Sequence, residues 1–205
     1  MIYQEFHNAM FEVACFTSNQ VFAWRSGFDK NNLGRWVKKG FLVKLRNGYY
    51  SFPEYLREPD FAFYLANRIY RPSYISLHTA LSFYGLIPES VVQITSVSTL
   101  KTTTFQNQFG TFSYKTINPH LMFGYDYKPL PKGRTLLFAK PEKSLLDLLY
   151  LYPFYSTKDE LEALRLDEDF LHNNLDTNLL KNYLSQFRNK ALEKRTHLLI
   201  KTYGL

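Results

Sequence analysis

Asp29-Lys30-Asn31-Asn32-Leu33-Gly34-Arg35-Trp36-Val37-Lys38-Lys39-Gly40 runs into Phe41-Leu42-Val43-Lys44-Leu45-Arg46-Asn47-Gly48-Tyr49-Tyr50-Ser51-Phe52. Leu33, Trp36 and Val37 fall at i, i+3 and i+4, the spacing of one buried helical stripe. A helix from Lys30 to Lys39 follows, with Asp29 as its cap and Gly40 as its stop. Phe41–Leu45 and Tyr49–Phe52 read as strands. Asn47-Gly48 between them is a two-residue hairpin signal, because both turn positions need positive φ. Gly34 is out of place in the middle of the helix, where glycine costs on the order of 1 kcal/mol relative to alanine.

Upstream, Phe6, Met10, Val13 and Ala14 have helical spacing and predict a helix over Tyr3–Ala14. Thr17 or Ser18 can cap a second helix that presents Val21, Phe22 and Trp24, and Gly27 ends it. Three helices and a hairpin in this order predict a winged helix-turn-helix that binds DNA over residues 1–53. The third helix turns Lys30, Asn31, Asn32, Arg35, Lys38 and Lys39 away from its apolar stripe. The hairpin adds Lys44, Arg46 and Asn47. Arginine suits guanine and asparagine suits adenine in the major groove, while lysines at the helix end suit phosphates. These nine residues are the candidate DNA contacts. The alternatives are a winged-helix module for protein contacts and, further off, a nucleic-acid-processing enzyme.

The chain of 205 residues has a formal net charge of +7, compatible with a polyanionic partner. Its single cysteine, Cys15, allows no intramolecular disulfide. Neither a signal-like N-terminus nor a membrane-spanning run of about 20 apolar residues is present, so a cytoplasmic protein is expected. Pro53, Glu54, Arg57, Glu58, Pro59 and Asp60 read as a domain edge. Beyond it come helices over Phe61–Tyr70 and Ser76–Tyr84 and a strand over Val91–Ser98. A strand pair, Thr102–Gln106 and Thr111–Ile117, and a strand over Arg134–Ala139 follow. Pro141 suits the first turn of a further helix, and the chain from Thr157 on reads as helical. The fold class is therefore α+β: the N-terminal winged helix-turn-helix, then a mixed α+β domain over residues 60–205 with a helical C-terminal part. Phe83, Tyr84 and Leu86 are expected in its core, and His78 as a packing residue.

No catalytic, metal or cofactor site is expected, and the protein is not read as an enzyme. His7, His78, His120, His172 and His197 are scattered. Ser76, Ser82 and Ser144 show no nucleophile-elbow pattern, and no glycine-rich phosphate loop is present. Glu142, Lys143 and Asp147 near a helix start could be imagined as a nuclease or transferase site. Glu142 is better explained as a carboxylate at a helix N-terminus.

Three segments carry a family resemblance: Tyr74-Ile75-Ser76-Leu77-His78-Thr79-Ala80-Leu81-Ser82-Phe83-Tyr84-Gly85-Leu86-Ile87-Pro88-Glu89, Ile94-Thr95-Ser96-Val97-Ser98, and Ala139-Lys140-Pro141-Glu142-Lys143-Ser144-Leu145-Leu146-Asp147-Leu148-Leu149. With Arg35–Leu42 and Asn47-Gly48-Tyr49-Tyr50, they resemble AbiEi-family antitoxins of type IV toxin–antitoxin (abortive infection) systems. The resemblance covers about residues 16–151 and leaves the C-terminal helices unmatched. It implies a transcriptional autorepressor that binds double-stranded DNA of its own promoter. It also implies a cognate toxin of nucleotidyltransferase type, countered without a stable complex, and makes residues 60–205 an antitoxin-like domain.

Overall fold

A computed structural model describes residues 3–89 and 91–205; Met1 and Ile2, the first residues of the expected N-terminal unit, and Ser90 lie outside it. The chain opens with α1 (Tyr3–Met10), prolonged by a 3-10 turn over Phe11–Val13. β1 (Cys15–Thr17), α2 (Ser18–Trp24), α3 (Asn31–Lys38), β2 (Val43–Arg46) and β3 (Tyr49–Ser51) follow. The three strands form an antiparallel sheet in the order β1-β3-β2. Thr17 caps α2 with a reciprocal pair: its hydroxyl accepts from the Gln20 N–H at 3.2 Å, and the Gln20 side chain accepts from the Thr17 N–H at 2.8 Å. Phe6 packs at the centre, its ring 4.6 Å from Trp36, 5.6 Å from Phe16 and 5.9 Å from Phe28.

A second 3-10 segment, Pro53–Arg57, leads to α4 (Phe61–Ile69), β4 (Ser73–Ile75), α5 (Leu77–Phe83) and β5 (Gln93–Ser98). Then come β6 (Thr103–Asn107), β7 (Gly110–Thr116), β8 (Tyr125–Leu130), β9 (Arg134–Ala139) and α6 (Pro141–Leu151). Four helices close the chain: α7 (Lys158–Glu162), α8 (Glu168–Asn173), α9 (Thr177–Phe187) and α10 (Lys190–Tyr203). The large sheet is mixed, in the order β6-β7-β5-β4-β9-β8, with β4 parallel to β9 and β5 parallel to β7. The protein is thus a mixed α+β fold with helices at both ends.

The large sheet divides the apolar interior. Ile75, Phe112, Tyr114, Leu136 and Phe138 point to the side of α4 and the N-terminal elements. Tyr74, Val97 and Ala139 point to the side of α5, α6 and the C-terminal helices. One apolar cluster runs without interruption from Phe6 through Tyr55 and Phe61 to Phe138, across the Pro53–Asp60 segment. Tyr55 stacks on Phe61 with centroids 4.4 Å apart, and Asn107 donates its side-chain N–H to the Leu45 carbonyl at 3.0 Å.

Three strands were not foreseen from sequence: β1, β4 and β8. The first helix also stops at Met10, short of Ala14, which takes φ 63°. Leu86 is buried, and Tyr84 is half-buried with its hydroxyl on the Ala139 carbonyl at 3.0 Å. Phe83 departs from the expected core placement. It is 49% exposed and meets the interior along one side, 4.7 Å from the Phe138 ring.

Candidate nucleic-acid interface

α3 starts one residue after Lys30, yet Asp29 still serves its first turn. The Asp29 carboxylate accepts from the Asn31 N–H at 3.0 Å, and its carbonyl accepts from the Asn32 N–H at 3.0 Å. Leu33 and Trp36 are buried and Val37 half-buried, so one face of the helix is fixed against α1 through Trp36 and Tyr3, 5.3 Å apart. That fixes the other face too. Asn31, Gly34, Arg35 and Lys38, at i, i+3, i+4 and i+7, form one exposed stripe.

Arg35 is 62% exposed along its side chain and reaches Asp29 at 3.4 Å and the Asn32 side-chain oxygen at 3.3 Å. An ion pair this open contributes at most about 1 kcal/mol, so it restrains the guanidinium loosely. Lys30 lies over Phe22, 5.3 Å from the ring centroid. Asn32 is half-buried, while Lys39, Lys44 and Asn47 are exposed. The Ser18 N–H donates to the Gly48 carbonyl at 3.0 Å, tying the hairpin turn to the start of α2.

Arg46 does not join this surface, contrary to its expected place at the hairpin tip. It is half-buried, its Nε donates to the Ile69 carbonyl, and its guanidinium lies 4.1 Å from the Tyr49 centroid and 5.5 Å from that of Phe105. The physical reason is the packing of β2 along β6. A planar guanidinium sandwiched among aromatic faces is favoured over a free one. Arg68, near the end of α4, and Arg71 lie close to Tyr49, around a cavity that all three line. Sequence reading passed over them, because an apolar helix ending in Arg-Pro signals only a helix stop.

Glu142, Lys143 and Asp147 are enclosed. The Glu142 carboxylate accepts from the Asp176 N–H at 2.9 Å. Asp147 accepts from Tyr74 at 2.9 Å, from Ser76 at 2.8 Å and from the Lys143 ammonium, and Lys143 also donates to the Tyr74 oxygen at 2.8 Å. Burial pushes the Asp147 carboxyl up and the Lys143 amine down from their ordinary values, and each charge opposes the other's shift. With neither side chain exposed, the cluster binds α6 to β4. Burial likewise lowers the His78 imidazole, whose ring meets Tyr152 edge-on at 5.6 Å, and pushes the Cys15 thiol up to about 12.

Among the described residues no helix is long and apolar enough to cross a membrane, and no three His, Cys, Asp or Glu side chains gather where a metal ion could be held. No protein-family model matches the chain, and no curated protein matches it.

Proposed function

We propose that the chain is a cytoplasmic transcriptional autorepressor whose N-terminal elements form a winged helix-turn-helix. α3 enters the major groove of double-stranded DNA, with the β2–β3 hairpin as the wing. The observation that carries this reading is the α3 stripe: Asn31, Arg35 and Lys38 stand outward on a helix whose opposite face is locked by Leu33 and Trp36. Lys39 and Lys44 add exposed cations beside it. Amides and a guanidinium on the outward face of such a helix suit base edges, and lysines at its end suit phosphates. The segments similar to AbiEi antitoxins extend the proposal to a role as the antitoxin of a type IV toxin–antitoxin system, opposing a nucleotidyltransferase-type toxin without a lasting complex.

A mobility-shift titration with the duplex upstream of the reading frame tests the DNA-binding part. Binding should weaken steeply between low and moderate salt, as counterions are released. Arg35→Ala should cost roughly 1–3 kcal/mol and relax preference at one base pair, while Lys39→Ala should weaken all duplexes alike. No shift at low salt would remove the reading. For the antitoxin part, a folded Arg35→Ala/Lys38→Ala/Lys39→Ala chain, expressed from a foreign promoter, should still protect cells from the toxin.

A further inference from the structure

Arg68 and Arg71 stand between two cavities. One, of about 370 Å³, is lined by both arginines together with Asn67, Ser73, Tyr127 and Thr135 among others. The other, of about 130 Å³, is lined by the same arginines with Thr17, Gln20 and Tyr49. No carboxylate lines either cavity, and among the described residues neither arginine has an ion-pair partner. By contrast, the cavity beside Arg134 is lined by Glu58 and Asp60, and Glu58 holds Arg134 at 2.7 Å.

Two residues that line the larger cavity carry unused donors. Asn67, 6% exposed, spends its side-chain oxygen on the Leu137 N–H at 2.6 Å. Among the described residues its Nδ2 has no hydrogen-bond partner, and neither has the hydroxyl of Ser73, which is 2% exposed. Buried polar atoms without partners are uncommon and call for an explanation. Arg71 is steadied by its Nε on the Asn67 carbonyl at 3.2 Å, and Arg68 by the Tyr64 ring, 5.2 Å from its centroid.

We propose that Arg68 and Arg71 form a site for a DNA phosphodiester that flanks the α3 contact. A phosphodiester carries negative charge and only acceptors, and this site offers guanidiniums, hydroxyls and an amide N–H. DNA is the favoured source because the smaller cavity shares Thr17 and Tyr49 with the sheet that carries the hairpin, and the turn at Gly48 is bonded to Ser18, next to Thr17. A duplex lying along the hairpin would continue onto these arginines. The proposal rests on the DNA-binding reading and adds to it a second contact outside the N-terminal elements.

The test measures affinity of the full chain for a random-sequence DNA duplex across a salt series. Phosphate contacts should set the slope of log affinity against log salt, at about one unit per contact. Arg68→Gln/Arg71→Gln, shown folded by circular dichroism, should lose about two units of slope and bind all sequences more weakly. Arg68→Lys/Arg71→Lys should keep most of the slope. An unchanged slope in the folded glutamine variant would overturn the site while leaving DNA binding through α3 intact. If the wild-type chain bound no duplex, the DNA reading itself would fail. Thermal unfolding in inorganic phosphate against chloride at equal ionic strength would then decide the site. A rise in melting temperature that the glutamine variant lacks would reassign it to free phosphate compounds, and equal melting would overturn it altogether.

Discussion

Gly34 has no structural reason to be glycine. Its φ is not in the left-handed region, and a Cβ built on it meets nothing within 4 Å. Alanine would therefore stabilise the helix by up to about 1 kcal/mol. Gly34 lies in the exposed stripe of Asn31, Arg35 and Lys38, so the proposed DNA-binding reading supplies a reason for it: close approach of α3 to the duplex. Gly34→Ala should raise the melting temperature and at the same time weaken binding to the upstream duplex several-fold, because the methyl group holds the helix off the groove. Raised stability with unchanged affinity, measured by thermal unfolding and mobility shift, would count against α3 as the reading helix. This oddity was visible in the sequence; that packing does not explain it became visible only in the structure. The fate of Arg46 was not visible at all, because Ile69, Tyr70 and Phe105, which draw it inward, lie far along the chain and no local pattern connects them.

Between elements, Asp147 and Lys143 make a fully buried polar tie from α6 to Tyr74 and Ser76 at β4 and its end. A buried ion pair is not in itself a strong source of stability, but removing one member leaves an uncompensated charge in the interior. Lys143→Met should therefore cost about 3–5 kcal/mol in denaturant unfolding. Lys143→Met/Asp147→Asn should recover part of that loss, since an amide oxygen can still accept from Tyr74 and Ser76 without carrying charge. A double variant no more stable than Lys143→Met alone would mean that the charge of Asp147 is not what the lysine offsets. The helix carrying this pair was legible from Pro141 and its leucines, and β9 was legible from Arg134 to Ala139. β4 was hidden because its three residues merge with the helix that follows, leaving too little chain for a two-residue period. β8 was hidden by Pro129, which a strand accepts at a sheet edge, and β8 is the edge strand beside β9. β1, three residues between two helices, is a strand only because β3 lies beside it.

At the scale of the molecule, the segment Pro53–Asp60 looks like a linker in sequence, yet it carries Tyr55 into stacking contact with both Phe61 and Phe11, 4.4 and 4.9 Å away. Residues before and after it share one apolar cluster. A fragment of residues 1–57 would expose the side of that cluster covered by Phe61, Tyr64 and Ile69. It should show no cooperative thermal transition by circular dichroism, whereas these residues should melt together with the large sheet in the full chain. A sharp transition in the isolated fragment would show that the N-terminal elements are an independent core. The same continuity bears on how such a protein can change over generations. A crossover within Pro53–Asp60 would join aromatic surfaces shaped for different partners, at Tyr55 against Phe61 and at Arg46 against Tyr70. Inherited shuffling of the N-terminal part as a block is therefore disfavoured. Change is instead tolerated in place, at the outward positions of α3, which the interior leaves free to vary; under the proposed function, that is where new binding preferences would arise.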